Sequence, residues 1–163
     1  MNKVIKHHNK NGGLSRFNKI KYYHENYLDI KLNDNELYEL ADEFGKIVIE
    51  KVINAPIISG SIDFIKKNYG LYKQFISTGT PESEIKKILS KRKIDCYFTE
   101  VYGSPENKHT HLKKILSKYK LKSNELLFFG DSNTDLDAAK KANINFVLVK
   151  NDFNKNLAKK FDG

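Results

Sequence analysis

A chain of 163 residues with 39% hydrophobic and 12% aromatic side chains can bury a core, which excludes a disordered tail or linker. Its formal charge of +9 comes from lysines spread through every segment, with Arg16 and Arg92 as the two arginines; the arginine-led stripe of a nucleic-acid reader is missing, so such binding is not expected. No apolar run approaches the ~20 residues of a membrane helix, and the single cysteine, Cys96, rules out an internal disulfide and fits a reducing cytoplasm.

The first ten residues, MNKVIKHHNK, are basic but have no apolar run behind them, so no secretory signal is read there. Around Gly12-Gly13 gather His7, His8, Asn11, Ser15, Arg16 and Lys19. Arg16 on a first helical turn could clamp a carboxylate or phosphate, and Asn11 and Lys19 join it as candidate substrate contacts. The other reading is a plain helix–helix turn. The two histidines have no carboxylate or cysteine at ligand spacing, so no metal site is expected from them. Ser15 can cap a helix carrying Phe17, Ile20 and Tyr23 or Tyr27. Asp34 can cap a longer one whose face is Leu37, Leu40, Ala41, Phe44, Ile47 and Val48.

The pattern changes at Asn54-Ala55-Pro56, which divides the chain into a helical region (1–54) and an alternating region (55–163). Residues 61–68 read as a helix and 72–77 as a strand ending in a Ser-Thr-Gly turn. Pro81 then opens a helix, as proline favours the first helical position. Residues 96–103 read as extended, with Cys96 beside Tyr97 and Phe98 as a buried thiol. A helix over 108–119, a strand over 125–130, a helix from about Thr134 to Ala142, and a strand over 145–149 follow. A short last helix carries Phe153, Leu157 and Phe161. Alternation of this kind predicts an α/β fold, a Rossmann-like doubly wound parallel sheet with an N-terminal helical part. The apolar run Leu126–Phe129 predicts a strand buried on both faces.

Three stations of chemistry fall at predicted strand ends or helix starts. Ser77-Thr78-Gly79 offers a hydroxyl and backbone N–H groups where a helix begins, which suits an anion cradle or an ordinary cap. Lys108 opens a helix against the dipole, which suits a lysine balancing phosphate charge or a solvated surface residue. Asp131 and Asp135 follow Gly130 at a strand end. They suit Mg²⁺, which takes one or two carboxylates with water and phosphate, or a simple helix cap.

In this order and spacing the stations over residues 57–150 resemble the haloacid dehalogenase superfamily: Ser77 in FISTGTP matches its second motif, Lys108 its third, and Asp131 and Asp135 in GDSNTD its acidic fourth. The resemblance implies a phosphohydrolase of a small phosphorylated metabolite. Ser77 would hydrogen-bond the phosphoryl group, Lys108 would neutralise charge, and Asp131 and Asp135 would hold Mg²⁺. Residues 1–54 would be a helical cap closing over substrate.

The family's first motif, a strand ending in Asp-x-Asp whose first aspartate attacks phosphorus, has no match. Asp135-Leu136-Asp137 lies inside the fourth motif, and neither Asp29 nor Asp63 begins such a pair. The chain reads as truncated, or as a degenerate member, and in either case as inactive by itself. The alternative is a non-catalytic protein that keeps the phosphate and metal cradle for binding or assembly. The resemblance implies that the first-motif strand lies between those ending at Ser77 and Gly130; without it, the strands at 72–77 and 125–130 are expected to pair directly, to be bridged by another chain or segment, or to leave a poorly stable chain.

Overall fold

Capping decides where the N-terminal helices start and stop. α1 spans Asn2–Lys10 and ends where the Asn11 N–H folds back on the His7 and His8 carbonyls. α2, Arg16–Tyr23, runs on into a π-helical turn at His24–Leu28. α3, Asp34–Ile53, is capped by Asn33 and not by Asp34. The Asn33 side chain accepts from the Glu36 N–H at 3.0 Å, and the Glu36 carboxylate accepts from the Asn33 N–H at 2.8 Å. Both residue types cap well; the reciprocal glutamate three positions on selects Asn33.

The computed structural model describes residues 2–161, which fall into two compact units: Arg16–Pro105, and Met1–Ser15 together with Glu106–Gly163. The first holds α2, α3, α4 (Ser61–Asn68), β1 (Phe75–Pro81), α5 (Glu82–Lys91) and β2 (Glu100–Ser104). Its buried residues include Ala41 and Gly45 on α3 and Ile88 and Leu89 on α5. The stripe buried on α3 is thus narrower than the sequence pattern, and Phe44 and Ile47 stay exposed. Gly45 is small for a reason: a Cβ there would meet Glu84 Oε1 at 2.5 Å and Arg16 Nη1 at 2.6 Å. The last turn of α3 is closed by Arg92, whose guanidinium donates to the Val52, Ile53 and Ala55 carbonyls at 2.8–2.9 Å. Helix C-termini leave such carbonyls orphaned, and one planar donor fork serves three of them.

β1 and β2 pair in parallel, Phe75 with Glu100, Ile76 with Val101 and Ser77 with Tyr102. The strand begins three residues later than predicted and continues through Pro81, which becomes the residue before α5 instead of its first. Between Ser77 and Pro81 the register slips, four residues on β1 against two on β2 from Tyr102 to Ser104, which is a bulge. The close approach that permits it falls at Gly103, where a Cβ would stand 2.5 Å from the Thr80 carbonyl and the Glu82 nitrogen. Cys96 sits in a 3₁₀ turn, Asp95–Tyr97, and is exposed, contrary to the buried thiol expected. Its aromatic neighbours turn inward while the tight turn directs Cys96 to solvent.

In the second unit, α6 (Lys108–Lys118), β3 (Leu127–Gly130), α7 (Asn133–Ala142), β4 (Asn145–Leu148) and α8 (Lys155–Ala158) follow α1. β3 and β4 are parallel, Leu127 to Asn145 through Gly130 to Leu148. Leu112, Ala138, Ala139 and Ile144 form the core, with Phe128 and Phe146 packed on it. On the opposite face Leu127, Phe129 and Val147 are 49%, 43% and 37% exposed. The apolar run therefore belongs to a sheet with one face buried, not two; residue-to-residue apolarity cannot tell the two apart. Phe153, expected on the last helix face, precedes α8 and is 91% exposed, while Leu157 is buried.

Among the described residues each of the two strand pairs is parallel and joined through a helix, an α/β fold. β1 and β3 lie in different two-stranded sheets, so the direct pairing foreseen as one outcome does not occur, and residues 2–10 and 16–23 are helical instead of bridging as a strand. Among the described residues no helix is long and apolar enough to cross a membrane.

Candidate functional site

The residues singled out from sequence fall into both units. Ser77, Thr78 and Gly79 belong to the unit of β1; Asn11, Lys108, Asp131 and Asp135 belong to the unit of β3; Arg16 and Lys19 lie in the first.

Ser77 pairs in register with Tyr102, the last residue before the bulge, and Thr78 to Thr80 occupy the bulge itself. The Thr78 hydroxyl accepts from the Thr80 N–H at 3.2 Å, which turns the chain there without a helical cap. Ser77, Thr78 and Gly79 are all half-buried. A bulge at a strand end re-aims side chains, and here it separates the hydroxyl of Ser77 from the helix start by four residues.

Lys108 is the first residue of α6, after the cap Asn107, whose side-chain Oδ1 accepts from the Thr110 N–H at 3.0 Å. Its Nζ donates to Asp135 Oδ1 at 2.5 Å. The two side chains are 15% and 5% exposed. Asp135 is the third residue of α7 and half of a capping box with Ser132. Its Oδ2 accepts from the Ser132 hydroxyl at 2.6 Å, the Ser132 N–H at 3.1 Å and the Asp131 N–H at 3.3 Å. So the lysine that opens a helix against its dipole is compensated by a buried carboxylate that caps a different helix. Gly130 allows this packing, since a Cβ there would stand 2.6 Å from Asp135 Cγ.

Asp131 is exposed where β3 ends. Asn151 donates to its Oδ2 at 3.1 Å, and Asn154 donates to its backbone carbonyl at 2.9 Å. Its Oδ1 has no hydrogen bond among the described residues. The two aspartates thus differ. Asp135 is saturated by four donors, and Asp131 keeps one oxygen open at the sheet edge. Among the described residues no three His, Cys, Asp or Glu side chains gather as a metal cluster. Asp131 Oδ1 is the carboxylate oxygen of this loop left to serve a cation such as Mg²⁺, which takes one or two carboxylates with water and phosphate.

The Gly12-Gly13 turn rests on this same loop: a Cβ at Gly13 would overlap the Thr134 hydroxyl and stand 2.5 Å from that of Ser132. Asn11 closes α1 by donating to the His7 carbonyl at 2.9 Å.

Arg16, in the other unit, is engaged within the protein. It holds both carboxylate oxygens of Glu84 at 2.6 Å, donates to the Ala41 carbonyl at 3.0 Å, and lies over the Phe44 ring. Lys19 is 8% exposed, and burial lowers the pKa of its ammonium. Arg16→Ala is expected to cost about 2 kcal/mol in urea unfolding, because it strands the partly buried Glu84 carboxylate, and Arg16→Lys is expected to recover little of it. Unchanged stability in Arg16→Ala would return Arg16 to a ligand-reading role.

Sequence reasoning missed Ser132, Asn151, Asn154 and Glu84. The N-D-F-N spacing of Asn151 to Asn154 is that of a cap with its reciprocal partner, and was legible. Glu84 was not, since its partner lies 68 residues away.

The profile of the family described as haloacid dehalogenase-like hydrolase matches residues 6–149. No curated protein matches the sequence. Among solved structures, a haloacid dehalogenase-like family hydrolase from Streptococcus pneumoniae is 20% identical, with a TM-score of 0.62 over 73% of this chain and 59% of that one. A predicted phosphoglycolate phosphatase from Haemophilus somnus is 21% identical, with a TM-score of 0.69 over 90% of this chain and 68% of that one. The HAD hydrolase YfnB from Bacillus subtilis, solved bound to magnesium, is 14% identical, with a TM-score of 0.64 over 91% of this chain and 68% of that one. These likenesses show a shared fold. The chain spans about three fifths of the length of the first structures it matches.

Proposed function

The chain belongs to the haloacid dehalogenase-like hydrolase family, and from that premise we propose that its chemistry is Mg²⁺-dependent hydrolysis of a small phosphorylated metabolite. The observation that carries this reading is the division of labour between Asp131 and Asp135. One carboxylate fixes Lys108 at 2.5 Å, and the other keeps an oxygen open beside it in sequence, at the end of a parallel strand. Strand ends in such sheets are where ligands bind.

In this reading Lys108 offsets phosphate charge and Asp135 holds its ammonium in place; for Ser77, in the other unit, the family resemblance implies a hydrogen bond to a phosphoryl oxygen. Asp131 would hold the metal ion. A bound Mg²⁺ would polarise the phosphoryl oxygens and offset their charge. The attacking carboxylate is not among these 163 residues, because no strand here ends in Asp-x-Asp. The polypeptide as given is therefore proposed to bind and not to turn over. That absence also favours the second reading, a non-catalytic phosphate- or metal-binding protein on the same fold.

Titration calorimetry with Mg²⁺ and with inorganic phosphate tests the site. Mg²⁺ binding is expected to be weak, since one carboxylate is available, and to vanish in Asp131→Asn. Phosphate binding is expected to weaken in Lys108→Met. Tight one-to-one Mg²⁺ binding, or phosphate binding indifferent to Lys108, would overturn the assignment.

A further inference from the structure

We propose that Asn151 is a positioning residue for a divalent cation at Asp131, with Asn154 holding the backbone from which that carboxylate extends. The proposal rests on the reading of Asp131 as the metal carboxylate and adds residues from the segment that leaves the sheet's second strand at the same edge.

The geometry begins at Asn154, which is 8% exposed. Its Nδ2 bridges two carbonyls, that of Asp131 at 2.9 Å and that of Val149 at 2.8 Å. One amide therefore ties the segment leaving β3 to the segment leaving β4. The Asn154 Oδ1 in turn accepts from the Asn151 N–H at 2.9 Å. Asn151 answers with its own Oδ1, which accepts from the N–H groups of Phe153 at 2.8 Å and Asn154 at 3.1 Å. That reciprocal pair would close the turn before α8 in any protein.

What the turn does not require is the remaining donor. Asn151 Nδ2 points to Asp131 Oδ2 at 3.1 Å, across 20 residues of sequence. A carboxylate with one oxygen held by an amide is restrained in rotation, and the other oxygen, Oδ1, has no hydrogen bond among the described residues. Removing a group that orients a metal ligand in this way typically costs about 10–100-fold in metal affinity. Without it Asp131, exposed at a strand end, would sample several rotamers, and a cation would have to restrict them on binding.

Substitutions at Asn151 separate the two duties. Serine and threonine cap turns well but carry no second amide donor. Asn151→Ser and Asn151→Thr should therefore keep the turn and lose the hold on Asp131. Mn²⁺ is the probe, its free fraction read by electron paramagnetic resonance, with thermal unfolding measured on the same samples. The expected result is binding about tenfold weaker in both variants with the unfolding midpoint unchanged. Asp131→Asn serves as the reference for full loss. Parent protein that binds Mn²⁺ with the same affinity as both variants overturns the role of Asn151 alone. Affinity that falls only together with the unfolding midpoint assigns Asn151 to the turn and also overturns it. Parent protein without saturable Mn²⁺ binding overturns the metal reading of Asp131, and this proposal with it.

Discussion

Purified 163-residue polypeptide is expected to hydrolyse an aryl phosphate in Mg²⁺ no faster than buffer does, and Asp131→Asn is expected to leave that background unchanged. Hydrolysis through a covalent intermediate needs a nucleophile, and removing one costs on the order of 10⁶ in kcat. Among the described residues no strand leads into an Asp-x-Asp pair. Asp29 lies in a left-handed turn after a π-helical segment, with φ 56°. Asp63 is on the first turn of α4, exposed, with no strand leading to it. Asp135 is committed to Lys108 and Ser132, and Asp137 faces solvent from α7. The lysine and the acidic loop can polarise a phosphate but cannot attack it. Turnover above background that disappears in Asp131→Asn would sink the argument and show that another group attacks phosphorus.

Asp135→Ala is expected to lower unfolding stability by about 3 kcal/mol, and Lys108→Met by about 1 kcal/mol. The inequality follows from what each change leaves behind. Without Asp135, the ammonium of Lys108 sits 15% exposed with its counter-charge gone, and the Ser132 hydroxyl and two N–H groups lose their acceptor. Without Lys108, Asp135 still accepts three hydrogen bonds and still completes the α7 capping box. Against the 5–15 kcal/mol typical of a domain, the first loss is large. Urea unfolding of the two variants beside the parent decides it, and a greater loss in Lys108→Met would mean the aspartate is not the keystone of the pair.

The order of helices and strands was legible because apolar spacing and caps are local signals. Boundaries failed where distant contacts decided them. Gly79 and Pro81 disfavour a strand in Ser77-Thr78-Gly79-Thr80-Pro81, yet the segment runs extended, with Gly103 on β2 letting the two backbones close in. The α3 stripe was read too wide because Arg16 and Glu84 take space beside Gly45 that a larger residue would fill. Asp131 and Asp135 looked equivalent in sequence, four residues apart. Their opposite duties depend on Lys108 and on Asn151, 27 and 20 residues away from their partners. Cys96 was misplaced because three adjacent apolar residues carry no period from which a buried side can be chosen.

The half-covered β3–β4 sheet makes the colloidal behaviour of this protein depend on salt. Leu127, Phe129, Val147 and Val149 present an oily strip, and among the described residues no strand lies along the second edge of β3. Such an edge is a template on which other chains can crystallise into ribbons. What opposes it is mutual repulsion from a surplus of nine positive charges. That repulsion reaches about 10 Å at 0.1 M ionic strength and about 3 Å at 1 M. Concentrated brine, often chosen to keep basic proteins in solution, would here strip away the guard and promote clumping.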